Sequence, residues 1–126
     1  MEPIEIAGTN TTPTVKCDGA KGFCEIKGKS NPANTIDFYK ILYDYIDEYS
    51  KVPAALTDVH IQFDYFNTST SKCILTAFRK FETILREGHN VVINWYFEKG
   101  DEDMLEAGND FQSVIHVPFK LVEIPG

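Results

Sequence analysis

"YFNTSTSKCILTAF", residues 65–78, lies where an alternating run of apolar residues ends and a run with helical spacing begins. Before it, apolar and polar residues alternate, which predicts a strand with one buried and one solvated face. The buried face is formed by Val59, Ile61, Phe63 and Tyr65, and the solvated face by His60, Gln62 and Asp64. The stretch is therefore predicted to carry the chain from a half-buried strand into a helix.

The helix after this junction has the clearest periodicity in the sequence. Its apolar residues recur three and four positions apart, which predicts one buried stripe. The stripe consists of Ile74, Ala77, Phe78, Phe81 and Leu85. Arg86 in the last turn and Gly88 just beyond it are typical of a helix C-terminus.

Upstream of the junction, the sequence predicts a short strand, a hairpin and another helix. "PIEIAG" alternates weakly, and "TVKCDGAKGFCEIKG" is predicted to form two strands joined by a turn at residues 18–22. "NPANTIDFYKILYDYIDEY" is predicted to be a helix capped by Asn31 or Asn34. Its predicted buried stripe consists of Phe38, Ile41, Leu42, Tyr45 and Tyr49.

Downstream, the sequence predicts two more strands with a helix between them. "DEDMLEAGNDF" is predicted to be a short helix whose acidic start suits the helix dipole and which Gly108 weakens. "IHVPFKLVEI" is predicted to be a final strand, in which Pro118 marks an edge or a bulge. The strand before that helix, "NVVINWYF", is predicted to point Val91, Ile93, Trp95 and Phe97 inward.

The order of these elements predicts the fold class. A hairpin followed by alternating helices and strands requires parallel pairing through right-handed crossovers. We expect one domain over residues 1–126, an α/β fold with a two-layer mixed β-sheet and helices mainly on one face.

Composition and charge exclude several classes of protein. With 43% hydrophobic and 25% charged residues, the chain has the composition of a folded soluble domain. No apolar run approaches the roughly 20 residues that cross a bilayer, and the start "MEPIEIAG" is unlike a secretory signal. We therefore expect a cytoplasmic protein with no membrane partner. A net charge of -7 argues against a nucleic-acid partner.

The side chains that most often carry metal or nucleophile chemistry are sparse. They are Cys17, Cys24, Cys73, His60, His89 and His116. The cysteines are too scattered for a disulfide framework or a zinc site, and the histidines lack ligand spacing, so we expect free thiols and no metal. No glycine motif for phosphate binding occurs, so we expect no nucleotide cofactor.

The junction itself carries an unusual run of hydroxyl residues. Asn67 is followed by Thr68, Ser69, Thr70 and Ser71. One interpretation is that a hydroxyl caps the helix, because Ser and Thr accept hydrogen bonds from first-turn N–H groups. The other is that one hydroxyl is phosphorylated, because a helix N-terminus favours an added dianion. The residues alone leave both open.

Several segments together resemble the SiaC family of bacterial regulatory phosphoproteins. They are "MEPIEIAGTNTTPTV", "GKSNPANTIDFY", "FDYFNTSTSKCIL" and "GHNVVINWYFEKGDEDMLEAG". The most specific feature is Asn-Thr-Ser at residues 67–69 after an aromatic strand end. Ala33 departs from the family pattern, where we expect an acid. The resemblance implies a STAS-like (SpoIIAA-like) fold, as in anti-anti-sigma factors.

The resemblance also implies a function. Thr68 is the implied phosphoacceptor. A dedicated Ser/Thr kinase is implied to phosphorylate it, and a PP2C-type phosphatase to remove the phosphate. The implied switch loop consists of Asn67, Ser69, Thr70 and Ser71. Ser69, Thr70 and Ser71 are further candidate acceptors. The unmodified form is implied to bind and activate a target, which is a diguanylate cyclase in some members. No catalytic residue and no cofactor are implied.

Two other functions are compatible with the residues. The first is a small-molecule enzyme that uses Thr68, Ser69, Asp64 and His60. It is disfavoured because His60 and Asp64 point away from the apolar face and no motif places a base. The second is an interaction module in which the hydroxyl run serves only as a cap.

Overall fold

The computed structural model describes residues 1–126, and its elements follow the predicted order. The strands are β1 (Ile4–Ile6), β2 (Thr14–Asp18), β3 (Phe23–Ser30), β4 (Leu56–Phe66), β5 (Asn90–Glu98) and β6 (Phe119–Ile124). The helices are α1 (Thr35–Tyr49), α2 (Thr68–Arg86) and α3 (Glu102–Val114). The mixed α/β class predicted from the sequence is confirmed.

The strands form one six-stranded sheet in the order β1-β2-β3-β4-β5-β6. The first three strands pair antiparallel, and β3 to β6 pair parallel. The three crossovers step across the sheet in the same direction, so right-handed connections place all three helices on one face. The parallel strands end where the helices begin, so the N-terminus of each helix lies at the carboxyl end of the sheet.

Trp95 on β5 lies at the centre of the core between the sheet and the helices. It is fully buried, and its indole N–H donates to the carbonyl oxygen of Met104 at 2.9 Å. Four phenylalanine rings lie with their centroids between 5.3 and 6.5 Å from the Trp95 ring. They are Phe63, Phe66, Phe111 and Phe119. This aromatic cluster joins β4 and β5 to α3 and β6.

A β-bulge near the end of β4 reverses the predicted alternation. Gly28 pairs with Phe63 and Lys29 with Tyr65, which leaves Asp64 as an extra residue. Beyond the bulge Phe66 packs on Trp95, and Tyr65 is 53% exposed. The prediction that Tyr65 faces inward is wrong, because one extra residue exchanges the two faces of a strand.

The buried stripe of α1 also differs from the prediction. Leu42 and Tyr49 are buried as expected. Tyr39 and Ile46 are buried where the prediction had Phe38, Ile41 and Tyr45. Those three are only half-buried or, for Ile41, 52% exposed. The difference arises because a tyrosine can be buried completely once its hydroxyl has a partner, as that of Tyr39 has in Ser30.

Other predicted boundaries shift slightly. On α2 the residue buried in the last turn is Ile84, with Leu85 half-buried, and Gly88 at φ +101° ends the helix as predicted. On β5, Phe97 is half-buried. Strand β6 starts only at Phe119, so the prediction of strand for residues 115–118 is wrong. Pro118 lacks an N–H group and contributes only its carbonyl, which accepts from the N–H of Ile93 at 2.9 Å.

Gly108 does more than weaken α3, because it lets the helix approach the sheet. A Cβ atom at this position would lie 2.5 Å from Cδ1 of Trp95 and 2.7 Å from Cδ2 of Leu121. Both neighbours belong to the packed core, so neither can move freely. Close packing on Trp95 therefore explains a glycine in the middle of this helix.

Replacing Gly108 by Ala is expected to lower the free energy of unfolding by about 1–3 kcal/mol, the usual cost of overpacking a core. The change is expected although alanine is the better helix former. Urea denaturation measures it, with Asn109→Ala as the control on the exposed side of α3. Equal stability of Gly108→Ala and wild type would contradict the tight packing.

Glu82 on α2 is a buried carboxylate that ties this helix to the connection between α3 and β6. It is 5% exposed and accepts hydrogen bonds from the backbone N–H of His116 at 2.6 Å and from Arg79 at 3.3 Å. The His116 N–H, followed by Arg79, lowers the pKa of the Glu82 carboxyl. The carboxylate form is therefore the one that stabilises the fold.

Replacing Glu82 by Gln is expected to lower the free energy of unfolding by about 1–3 kcal/mol at neutral pH, because hydrogen bonds to a charged acceptor are lost. The folded-state pKa is depressed, so the contribution is complete above the ordinary glutamate pKa of about 4.3. It is lost as the pH falls through the lower folded-state value. The difference between wild type and Glu82→Gln should thus shrink below about pH 4.

Urea titrations at several pH values measure this difference. Glu106→Gln, which changes an exposed carboxyl of α3, is the matched control and should stay within about 0.5 kcal/mol of wild type at neutral pH. If the difference in unfolding free energy between wild type and Glu82→Gln did not depend on pH, the ionised Glu82 carboxylate would not be what stabilises the fold.

Candidate functional site

Asn67 begins α2 and is its cap. Its backbone is extended at φ -90° and ψ 174°, and its side-chain oxygen accepts from the N–H of Thr70 at 2.8 Å. Its carbonyl oxygen accepts from the N–H of Ser71 at 3.1 Å. The interpretation that one of the hydroxyls caps the helix is therefore wrong. The hydroxyl run follows the cap and occupies the first turn.

Thr70 is the only member of the run that is fully buried. Its hydroxyl lies 2.7 Å from the Ser30 hydroxyl and donates to the Ser30 carbonyl at 3.2 Å. The Ser30 hydroxyl also lies 2.7 Å from the phenolic oxygen of Tyr39. All three hydroxyls have partners if Tyr39 donates to the Ser30 hydroxyl, Ser30 donates to the Thr70 hydroxyl, and Thr70 donates to the Ser30 carbonyl. Burial raises the pKa of Tyr39, so its phenol stays protonated.

A second pair of contacts joins the start of α2 to the end of β3. The Asn67 side-chain amide donates to the side-chain oxygen of Asn31 at 2.8 Å, and the Asn67 backbone N–H donates to the Ser30 carbonyl at 3.1 Å. Residues 30–31 and 67–70 thus hold each other at the carboxyl end of the sheet. The backbone on both sides of Thr68 is fixed by these bonds.

Thr68 and Ser69 are the exposed members of the run. Both side chains are exposed, whereas Ser71 is half-buried. Their backbone N–H groups belong to the first turn and have no partner within the protein. Because α2 has no acidic residue in its first turn, no side chain of that turn neutralises the positive end of its dipole. The Thr68 hydroxyl is therefore accessible, beside free donors that suit a phosphate.

The structure does not bring together the residues of the enzyme alternative. His60 lies on the sheet face opposite the helices, with its Nε2 3.0 Å from Asp58 and its Nδ1 2.8 Å from the Tyr96 hydroxyl. Asp64 lies exposed at the bulge. His60 therefore has no contact with Asp64 or with Thr68, and its partners Asp58 and Tyr96 satisfy both ring nitrogens.

Sequence reasoning missed the residues that support the junction. Ser30, Asn31 and Tyr39 stand far from Thr70 in the chain, and no local pattern links them. One signal was present, because Ser30 and Asn31 closely follow the predicted strand that ends at Gly28, as Asn67 follows the predicted strand that ends at Phe66. Parallel neighbouring strands bring such ends together.

No group of three or more His, Cys, Asp or Glu side chains is arranged to hold a metal ion. None of the three helices combines the length and the hydropathy that crossing a bilayer requires.

Replacing Thr70 by Val is expected to lower the free energy of unfolding by about 1–3 kcal/mol, because Ser30 loses a buried hydrogen-bond partner. The same replacement at the exposed Thr68 should change it by less than about 0.5 kcal/mol. Urea denaturation of the two variants measures the contrast. Equal effects would show that burial does not separate the two threonines.

Comparison with solved structures identifies the fold. A chain in the crystal structure of the diguanylate cyclase SiaD with its activator SiaC, from Pseudomonas aeruginosa, is 21% identical with a TM-score of 0.91, over 96% of this chain and 99% of that one. Apo-SiaC from the same organism is 21% identical with a TM-score of 0.89, over 97% of this chain and 99% of that one. The fold is thus that of SiaC.

Comparison with sequences identifies the family. An uncharacterised protein of Pseudomonas aeruginosa is 22% identical over 121 residues, which is 96% of each chain. Residues 6–124 match the sequence profile of the SiaC family, described as a regulatory phosphoprotein. The family is one of regulatory proteins rather than enzymes, as the resemblance implied. The chain belongs to the SiaC family of regulatory phosphoproteins.

Proposed function

We propose that the chain is a non-catalytic phospho-switch in a partner-switching system, acting in the cytoplasm as a single regulatory domain over residues 1–126. Thr68 accepts phosphate from a cognate Ser/Thr kinase, and a PP2C-type phosphatase removes it. The unphosphorylated form binds and activates a target enzyme. The observation that carries the proposal is the exposed Thr68 hydroxyl in the first turn of α2, beside two free backbone N–H groups.

The surroundings of the four hydroxyls favour Thr68 as the acceptor. Thr70 is fully buried and bonded to Ser30, so a kinase reaches it only if the junction opens. Ser71 is half-buried, which leaves Thr68 and Ser69. Asn67 caps the helix, and Thr68 follows it directly in the Asn-Thr-Ser motif of the family. Ser69 is the second candidate acceptor.

A phosphate at Thr68 is expected to alter binding more than folding. A negative charge at a helix N-terminus stabilises the helix by about 0.3–1 kcal/mol. A partner surface that must bury an unpaired anion loses several kcal/mol in desolvation. Moving an equilibrium from 1:99 to 99:1 takes about 5.5 kcal/mol, which such a penalty can approach. One exposed hydroxyl can thus control a partner while the domain stays folded.

A diguanylate cyclase is the target we propose. The solved complex that shares the fold of this chain joins SiaC of Pseudomonas aeruginosa, named there as an activator, to the diguanylate cyclase SiaD. Family membership and a match over 96% of the chain support a comparable partner here. The output of the switch would then be cyclic-di-GMP signalling.

Intact-mass spectrometry of the protein purified from its host tests the site. We expect a fraction carrying one phosphate in the wild type and in Ser69→Ala, and none in Thr68→Ala. Thr68→Ala is expected to fold normally because the side chain is exposed. Phosphate that persists in Thr68→Ala, or that disappears in Ser69→Ala, would overturn the assignment.

Binding to the target tests the direction of the switch. Thr68→Ala should bind as the unmodified protein does, and Thr68→Glu should bind at least about tenfold more weakly, a loss of about 1.4 kcal/mol. Ser69→Glu is the matched control for an added charge one residue away. Equal binding of Thr68→Ala and Thr68→Glu, with no phosphate in host protein, would favour an interaction module that is not switched.

A further inference from the structure

Cys17 and Cys24 face each other across the β2–β3 hairpin. The two residues are partners in the antiparallel register, and their sulfur atoms lie 2.7 Å apart. Both are free thiols and both are buried, at 3% and 5% exposure. The third cysteine, Cys73, lies on α2 and contacts neither of these sulfurs. The hairpin thus holds an isolated pair of thiols.

The backbone geometry of this pair suits a covalent bond. Opposed residues of antiparallel strands have Cα atoms about 4.5–5.5 Å apart. A disulfide spans Cα separations of about 4.4–6.8 Å. The strands therefore need no rearrangement for the two sulfurs to join, and the hairpin turn at residues 19–22 keeps them opposed.

The pair also borders a narrow apolar hollow at the hairpin turn. Gly19 and Gly22 of the turn line this hollow, together with Tyr45 and Tyr49 from α1. Both cysteines line the hollow, so it is the route by which a small oxidant would approach them, and the burial of both thiols disfavours attack by the active site of an oxidising protein. The chemistry at this pair is therefore restricted to small molecules.

The Cys24 thiol is held in its protonated form, because its pKa is raised. The hydrogen bond with Cys17, burial, and the neighbouring charges at Cys17 and Glu25 raise the pKa of the Cys24 thiol. Because the thiolate is the nucleophile, the first step of oxidation is slow at neutral pH and accelerates as the pH rises. The second step is fast, because the other thiol is already in contact.

We propose that Cys17 and Cys24 form a two-electron redox site that a small hydroperoxide converts into a cross-strand disulfide. One thiolate attacks the hydroperoxide, which breaks the O–O bond, releases an alcohol or water, and leaves a sulfenic acid. The second thiol then attacks the sulfenic sulfur, forms the S–S bond and releases water. In total, two thiols and one hydroperoxide give one disulfide, one water and one alcohol or second water.

The bond would lock β2 to the start of β3, the strand whose other end supports the switch. Strand β3 ends at Ser30, whose hydroxyl and carbonyl hold Thr70 at the start of α2. A disulfide that restricts the hairpin therefore stabilises the strand that supports the junction. The redox site rests on the hairpin alone and does not depend on phosphorylation of Thr68.

Treatment of the reduced full chain with hydrogen peroxide tests the proposal. We expect the intact mass to fall by that of two hydrogen atoms, slowly at pH 7 and faster at pH 9, with recovery on adding dithiothreitol. Trypsin cleaves after Lys21, between the two cysteines, so the product should contain peptides 17–21 and 22–27 joined by a disulfide. The oxidised protein should melt several degrees higher than the reduced one.

Three variants complete the test. Cys73→Ser keeps the pair and should lose the two hydrogens as the wild type does. Cys17→Ser and Cys24→Ala each remove one partner and should not lose the two hydrogens. If one of these two variants folds poorly, the other is enough for the test. A wild type that keeps its thiols after prolonged oxidation at pH 9, or a mass loss that survives in Cys17→Ser or Cys24→Ala, would overturn the proposal.

Discussion

The hydrogen bonds around Ser30 are the constraint on which the site depends. The Ser30 carbonyl accepts from the backbone of Asn67 and from the hydroxyl of Thr70, and its hydroxyl joins Thr70 to Tyr39. All of these groups except Asn67 are completely buried or nearly so, where an unpaired polar atom is costly. The end of β3 and the start of α2 therefore have one favourable arrangement. Thr68 lies between Asn67 and Thr70, the two residues at the start of α2 that bond to Ser30.

Within the hydroxyl run, residues 68–71, the residue that stabilises the fold and the residues that are accessible from solvent are different ones. Thr70 gives its hydroxyl to the interior, and Asn67 takes the capping role that a hydroxyl would otherwise fill. The Thr68 side chain is exposed and does not support the fold, so modifying it should change the free energy of unfolding little. The phosphorylation site that we propose at Thr68 needs this combination, since the modified and unmodified forms must both stay folded while their surfaces differ. The free N–H groups of Thr68 and Ser69 add a favourable setting for charge.

The elements of the fold could be predicted from periodicity, and the exceptions have local physical causes. The stripe of α2 was correct at four of its five positions, from Ile74 to Phe81, because a helix packed along one side obeys the helical period closely. The bulge at Asp64 could not be predicted, because it arises from pairing with β3, and it exposed Tyr65 and buried Phe66. Similarly, Tyr39 is buried because Ser30 reaches its hydroxyl, which is a contact between distant segments.

The sequence by itself determined the class of fold, the place of the strand-to-helix junction and the run of four candidate hydroxyls, because these follow from residue type and spacing along the chain. It also carried the family resemblance. Only the tertiary structure decided which hydroxyls face the interior and which face solvent, and that Cys17 and Cys24 oppose each other with their sulfurs in contact. The physical reason is that burial and partnership depend on segments far apart in the chain, which meet only when the sheet has formed.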